Sequence, residues 1–255
     1  MLGLKLPNSR RARDDAEKPF WISFSDLMSA LMVLFLVVMS VALLAVTRKV
    51  SEAEREEVQR ASDITALMEE VKRVAAQFED VRVVGTTIDL GKRAVFENEG
   101  QHTLSPSQRT LIRDFTPQLL EKIRTTEAGK TWFKRAVVEG YASRSGTYML
   151  NLNLSLMRSE RVLCELLLNG ASGEALSIDD RRLVAQRFFV GGASFNSLRS
   201  SAEASRRIEF KLEFKTRDER RGESAVGLGA PVVEMDNTAL DAALDPRERC
   251  PIPTH

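Results

Sequence analysis

A long apolar run near the N-terminus limits what this chain can fold into more than any other feature of its sequence. Between positions 20 and 46 the only formal charge is Asp26, and residues 27–46 contain none. About 20 apolar residues in a helix cover the ~30 Å hydrocarbon core of a bilayer. We therefore predict a single transmembrane helix over residues 19–47.

A cleaved signal peptide is the alternative explanation for this run. The apolar stretch is longer than the apolar region of a typical signal peptide, and no cleavage site of small residues with a polar continuation follows it. We favour an uncleaved membrane anchor.

The charges that flank the span predict its orientation. Five cationic residues precede it and two follow it: Lys5, Arg10, Arg11, Arg13 and Lys18 before, Arg48 and Lys49 after. Because cytoplasmic segments carry the excess of Lys and Arg, this bias places the N-terminus in the cytoplasm. We expect a bacterial inner-membrane protein with the remaining chain in the periplasm.

The overall composition excludes several classes of function. A formal net charge of +1 on 255 residues gives no electrostatic reason to expect nucleic-acid binding. The chain has two cysteines, Cys164 and Cys250, and two histidines, His102 and His255, in no metal-ligand spacing, so we expect no metal site and no cofactor. In the periplasm the cysteines could pair, or Cys164 could be a buried thiol; the sequence leaves both alternatives open.

The pattern beyond the membrane predicts an α+β domain. Residues 1–18 are charged and predict a cytoplasmic tail, and residues 48–80 predict a helical linker. Alternating strand-like and helix-like segments then follow over residues 81–215: strands at 81–90, 133–141 and 207–214, and helices at 105–124, 150–168 and 178–188. Residues 216–255 lack any period and predict an irregular C-terminal tail.

The linker contains a short apolar repeat. Six residues follow steps of three and four: Ala61, Ile64, Met68, Val71, Ala75 and Phe78. Such a stripe is typical of a coiled-coil seam, but it is shorter than the three to four heptads that a firm assignment requires. A dimer seam and an amphipathic helix packed on its own domain remain open.

Asp26 is the most informative single residue of the span. An ionised carboxylate costs about 2.5–3.5 kcal/mol at the bilayer centre on insertion scales, so such acids usually have a function. A desolvated carboxyl group favours its protonated form and can take up and release a cation as its surroundings change. Small or weakly polar side chains share its helix face: Ser29, Ala30, Val33, Val37, Ser40 and Val41. This face favours contact with protein or a narrow aqueous path, although Asp26 could instead reach the headgroups as part of the helix start.

The segment PFWISFSDLMSALMVLFLV, residues 19–37, resembles the single span of the MotB family. Trp21 and Asp26 match that family's pattern of a Trp followed after four residues by an Asp. The resemblance implies that Asp26 binds a translocated ion, H⁺ or Na⁺. It also implies a homodimer of this chain inside a pentameric ring of a MotA-like membrane subunit.

A second resemblance lies in the domain. The segments EGYASRSG, residues 139–146, and LNLNLSLMRSERV, residues 150–162, are similar to the OmpA-like peptidoglycan-binding domain, and RRIE at 206–209 resembles its closing strand. The resemblance implies that Arg158 holds a carboxylate of the stem peptide's diaminopimelate, with Asn151 as a polar contact and Leu154 in the pocket wall. The resemblance implies two further peptidoglycan-binding positions, at which the chain departs from the family: Ser143 replaces an Asp that contacts the stem's amino group, and Leu150 replaces a Tyr.

Three functions compete for these features. The first is an ion-driven motor subunit that Asp26 serves and the domain anchors to peptidoglycan; the second is a passive tether between membrane and cell wall. The third, an enzyme, ranks last because no nucleophile–base or paired-acid constellation is readable. Among motor subunits, the residues from Glu17 to Ser23 resemble the MotB-like subunits of anti-phage defence systems more than flagellar stator proteins, which remain the alternative.

Overall fold

The computed structural model describes residues 11–168, 176–224 and 237–253. The chain divides into two compact units, and the boundary between them along the sequence falls between Val58 and Gln59. One helix, α1, Arg11–Ala75, begins in the first unit and ends in the second. It starts inside the predicted cytoplasmic tail, of which residues 1–10 lie outside the described part.

The first unit contains the apolar part of α1. From Ser23 onward this helix is long and apolar enough to cross a membrane. All side chains described between Ser23 and Val50 are exposed, as expected for a surface that lipid or other membrane helices would cover.

The second unit is an α+β domain. Its elements follow in the order β1, Arg82–Val84; β2, Thr87–Asp89; α2, Pro106–Thr125; α3, Glu127–Trp132; β3, Phe133–Gly140; α4, Tyr148–Leu167; α5, Ile178–Arg187; β4, Phe188–Gly192; α6, Ala202–Ser205; β5, Ile208–Phe214; α7, Arg217–Ser224; and α8, Asn237–Ala243.

The five strands form one mixed sheet in the order β1-β2-β5-β3-β4. Strand β3 is central: it pairs parallel with β4 and antiparallel with β5. A crossover through α4 and α5 joins the two parallel strands, as parallel pairing requires. On β3 the buried face carries Ala136, Val138 and Gly140, whereas Arg135 on the other face pairs with Glu213 of β5 at 2.6 Å.

Local signals account for the helix boundaries. The Ser105 hydroxyl accepts the backbone N–H of Gln108, and the Gln108 side chain accepts the backbone N–H of Ser105, which forms a capping box at the start of α2. Gly140 allows α4 to approach β3, because a Cβ at this position would lie 1.9 Å from the carbonyl oxygen of Ser155. The absence of a side chain at Gly140 thus lets α4 pack closely, at Ser155, against the end of the central strand.

The C-terminal end of α1 belongs to the domain core. Of the six residues in the predicted stripe, Met68, Val71 and Ala75 are buried, and Ile64 and Phe78 pack against the same core. These side chains contact their own domain, so the amphipathic helix is the correct alternative for this stripe and a dimer seam is not. The domain thus includes the second half of the segment predicted as a linker.

Three segments differ from the sequence prediction. The single strand predicted over 81–90 is a hairpin of β1 and β2, because the chain turns at Gly85, which has a φ of +59°. The helix predicted over 178–188 ends at Arg187, and residues 188–192 form strand β4, since parallel pairing with β3 outweighs the local pattern. The tail predicted as irregular contains helices α7 and α8. Helix α8 is held on α5 by Arg182, which contacts both carboxylate oxygens of Asp241.

Candidate functional site

Asp26 lies on the exposed surface of α1 in the first unit. Two hydroxyl groups of its predicted face are bound within the helix: Ser29 Oγ donates to the carbonyl of Ser25 at 2.8 Å, and Ser40 Oγ donates to that of Leu36 at 2.7 Å. Because both hydroxyl groups are hydrogen-bonded, these serines keep the helix face small and leave no hydroxyl group unsatisfied. The role of Asp26 in ion binding stays a prediction.

The start of α4 forms one wall of a pocket in the domain. Thr147 caps the helix by accepting the backbone N–H of Leu150 at 3.3 Å. The Asn151 side chain donates to the carbonyl oxygens of Ser145 and Thr147 and so folds the preceding turn back onto the helix. Gly146 adopts a φ of +83° in this turn, a backbone conformation that favours glycine.

The pocket has a volume of about 350 Å³. It is lined by Glu99, Gly100, His102, Ser145, Gly146, Leu150, Asn151, Leu154 and Met157. Three of the predicted peptidoglycan-binding residues are thus brought together: Leu150 is 61% exposed, whereas Leu154 and Asn151 are largely buried in the wall. The other two, Ser143 and Arg158, are buried and are not among the lining residues.

Arg158 is fully buried and binds backbone rather than solvent. Its guanidinium donates to the carbonyl oxygens of Gln101 at 2.8 Å, Tyr141 at 2.7 Å and Glu99 at 3.0 Å. It also lies 4.5 Å from the ring centroid of Phe96. Arg158 thereby fixes the 98–101 segment that lines the pocket, and direct contact with a ligand, as predicted from the sequence, would require this segment to move.

Burial and a second cation affect the charge of this arginine. Burial and, to a lesser extent, the neighbouring positive charge of Arg206 together lower the pKa of Arg158 to about 9. Arg206 binds the adjacent part of the same segment, donating to the carbonyl oxygens of Phe96 at 2.7 Å and of Glu97. Two buried arginines thus hold consecutive stretches of the chain: Arg206 binds residues 96–97, and Arg158 binds the following residues, which include the pocket-lining Glu99.

Tyr141 connects the pocket to the sheet. Its hydroxyl donates to Glu139 at 2.5 Å, and the guanidinium of Arg207 lies 4.0 Å from its ring centroid. Burial, together with the Glu139 carboxylate, raises the pKa of the Tyr141 hydroxyl. The backbone carbonyl of Tyr141 accepts from Arg158, which links this cluster to the buried arginine.

The C-terminal segment is attached beside the pocket. A disulfide joins Cys164 of α4 to Cys250, with 5.5 Å between their Cα atoms. Beyond it, the carbonyl oxygen of Pro253 lies 2.7 Å from Nε2 of His102, and Arg161 donates to the carbonyl of Ile252 at 2.9 Å. The sequence did not indicate that this segment supports a pocket residue.

Three polar lining residues are not among the binding residues predicted from the sequence: Glu99, His102 and Ser145. Ser145 lies inside the recognised motif, but no role was predicted for it. Glu99 and His102 lie in the 98–102 segment, which has no periodic pattern and precedes the recognised motif by about 40 residues. The carboxylate of Glu99 accepts a hydrogen bond from the Ser145 hydroxyl at 2.5 Å. Glu99 and Ser145 are 46 residues apart in the sequence, and the fold brings them together. The membership of Glu99 in the site therefore follows from the structure and not from the sequence.

The chain combines a helix that is long and apolar enough to cross a membrane with an α+β domain built on a mixed five-stranded sheet, which is the architecture expected from the sequence. Among solved structures, the periplasmic domain of Helicobacter pylori MotB is 12% identical and covers 59% of this chain and 90% of that chain, with a TM-score of 0.40. The cell wall anchor of the T6SS from Pseudomonas aeruginosa is 16% identical and covers 57% and 97%, with a TM-score of 0.36. Likenesses at this level support no conclusion about function.

One curated relative is much more similar. The Zorya protein ZorB of Escherichia coli O139:H28 is 37% identical over 240 residues, which cover 92% of this chain and 97% of that protein. The chain belongs to the ZorB family. The family expected from the sequence is thereby confirmed as that of ZorB; no protein-family model matches the chain.

Proposed function

We propose that this chain is the ion-binding and wall-anchoring subunit of an ion-driven membrane motor in an anti-phage defence complex. The observation that carries the proposal is its similarity to ZorB over nearly the whole length of both proteins, with the membrane helix and the domain included. A flagellar stator protein of the MotB type is the alternative; a passive tether would share the layout but would not need Asp26.

In this proposal Asp26 binds the translocated cation, H⁺ or Na⁺. The carboxylate lies on a helix that can cross a membrane, on a face of small residues that permits close approach of other helices. Two copies of the chain stand inside a pentameric ring of a MotA-like, here ZorA-like, subunit. Because the linker stripe is buried in its own domain, the contact between copies is made by other parts of the chain.

The domain anchors the complex to peptidoglycan. Its pocket combines an apolar wall from Leu150 and Leu154 with the polar groups of Glu99, Asn151 and His102, a composition suited to a short peptide with charged ends. Anchoring prevents the subunit from turning with its partner, so that ion flow produces torque. No catalytic role is proposed for any of these groups.

The proposed orientation places the N-terminus in the cytoplasm and the domain in the periplasm. Two observations support it: the excess of cationic residues before the span, and the disulfide between Cys164 and Cys250, which is typical of an oxidising compartment.

Two assays on one set of variants test the proposal. The full-length chain in detergent should sediment with purified peptidoglycan, and joint replacement of Asn151, Leu154 and Arg158 by alanine should release it into the supernatant. Cells that express the chain with its partner genes should resist phage in a plaque assay and should not restore swimming to a stator-deficient strain. Restored swimming would favour the flagellar alternative, and unchanged sedimentation of the triple variant would remove the anchoring claim.

A further inference from the structure

The pocket contains a carboxylate at a place where the resemblance to the OmpA-like domain predicted none. At the family's Asp position this chain has Ser143, which is buried and does not line the pocket. Among the described lining residues, Glu99 is the one that carries a carboxylate. It comes from the segment between β2 and α2, not from the turn after β3.

Glu99 is held in place at both its backbone and its side chain. Its carbonyl oxygen accepts from Nη2 of Arg158 at 3.0 Å, and Oε1 of its carboxylate accepts from the hydroxyl of Ser145 at 2.5 Å. A carboxylate can accept about four hydrogen bonds over its two oxygens, so one bond from Ser145 leaves acceptor capacity for a ligand. The group is therefore positioned before a ligand arrives, which lowers the entropic cost of binding.

We propose that Glu99 binds the side-chain ammonium of the diaminopimelate in the peptidoglycan stem, in place of the family's Asp; this inference rests on the proposed anchoring function. An ammonium group donates three hydrogen bonds and requires acceptors, and bonds between charged partners are the stronger ones. Ser145 acts as a positioning residue that orients the Glu99 carboxylate.

The Glu99 carboxylate should also make the pocket selective among stem peptides. A stem whose side-chain amine is free should be preferred over one whose amine is blocked, because acylation removes the positive charge and two of its three donors. Stems joined through this amine in a cross-link would bind more weakly, so the pocket would select uncross-linked stems.

The test uses the full-length chain in detergent and two synthetic tripeptides, L-Ala-γ-D-Glu-meso-diaminopimelate with the side-chain amine free or acetylated. The wild type should bind the free-amine peptide at least about tenfold more tightly. Glu99→Gln should bind that peptide about tenfold more weakly than the wild type does and should lose the preference. Glu97→Gln is the matched control, because Glu97 is exposed in the same segment and does not line the pocket, and it should behave as the wild type.

Two further results distinguish an incorrect assignment of Glu99 from a failure of the proposed peptidoglycan anchoring. If Glu99→Gln retains the preference for the free amine, or if Glu97→Gln loses it equally, Glu99 is not the ammonium contact, while sedimentation of the wild type with peptidoglycan would leave anchoring intact. If the wild type binds neither peptide and does not sediment, both proposals fall.

Ser145→Ala should weaken binding of the free-amine peptide by about threefold and keep the preference; loss of the preference would instead place Ser145 in direct contact with the amine.

Discussion

The guanidinium of Arg158 donates to the carbonyl oxygen of Tyr141 at 2.7 Å and so joins helix α4 to the residue that follows the central strand. The same side chain holds the pocket-lining segment through Gln101 and Glu99. One buried cation thus connects three parts of the chain that are distant in sequence.

Replacement of Arg158 by alanine should therefore destabilise the domain as well as abolish peptidoglycan binding. Buried carbonyl groups would lose their donor, and we expect the free energy of unfolding to fall by about 3–5 kcal/mol. Arg158→Lys should restore little, because a single ammonium cannot reproduce the planar arrangement of donors. Denaturant unfolding measures the loss.

Leu150→Ala is the matched control for this variant. Leu150 lines the pocket but is 61% exposed, so its loss should weaken sedimentation with peptidoglycan without a comparable change in unfolding. An Arg158→Ala domain that unfolds at the same denaturant concentration as the wild type would contradict the structural role.

The ionisation of Tyr141 should appear as a pH dependence of stability. Its folded-state pKa lies above the value of about 10 for an unfolded chain, so the folded state holds the proton more tightly. This contribution to stability is fully present below pH 10 and is lost as the pH rises above it. A Tyr148→Phe variant leaves Tyr141 as the one tyrosine of the chain. In this variant tyrosinate absorbance should appear only as the domain unfolds in alkali. Titration of the Tyr141 hydroxyl near pH 10 in the folded state would contradict its burial.

The disulfide should stabilise the domain and fix the C-terminal segment. Cys164 and Cys250 are 86 residues apart, a separation for which loss of the cross-link typically costs about 2–5 kcal/mol. The Cys250→Ser variant should unfold at lower denaturant concentration and be cleaved sooner by protease in the segment that reaches Pro253. Cells should contain the wild type in oxidised form on non-reducing electrophoresis; a fully reduced chain would contradict both the cross-link and the periplasmic location.

Gly140 should tolerate no side chain. A Cβ there would meet the carbonyl oxygen of Ser155 at 1.9 Å, backbone that cannot move without shifting α4, so Gly140→Ala should lower the free energy of unfolding by about 1–3 kcal/mol or more. Gly222→Ala is the control, because nothing lies within 4 Å of a Cβ at that position. Equal stability of the two variants would show that α4 does not pack as described.

Much of the fold could be predicted because its signals are local. The capping box at Ser105 and the helical spacing after it define α2, and strict alternation defines β5. Strand β4 was missed because its residues continue the apolar pattern of α5, and only pairing with β3, about 50 residues earlier, makes them a strand. The spacing at the end of α1 predicts a helix, but the choice between a dimer seam and its own domain as the packing partner could not be made from the stripe itself.

The site was predictable where the recognised motif is continuous. Leu150 and Leu154 lie about one turn apart on α4, Asn151 follows Leu150, and the helix brings all three to one pocket. The burial of Arg158 was not predictable, because its partners are backbone carbonyls 57 and 59 residues away. Such contacts leave no trace in residue type or spacing.

The most direct test of the central claim is ion flux through the complex of this chain with its ring-forming partner, reconstituted in liposomes. Flux of H⁺ and of Na⁺ should be measured for the wild type, Asp26→Asn and Ser29→Ala, the last being a change on the same helix face that removes no ionisable group. We predict flux of one of the two ions in the wild type and in Ser29→Ala, and background flux in an Asp26→Asn complex that still assembles. Flux at the wild-type rate through the Asp26→Asn complex would contradict the assignment of Asp26 as the ion-binding residue.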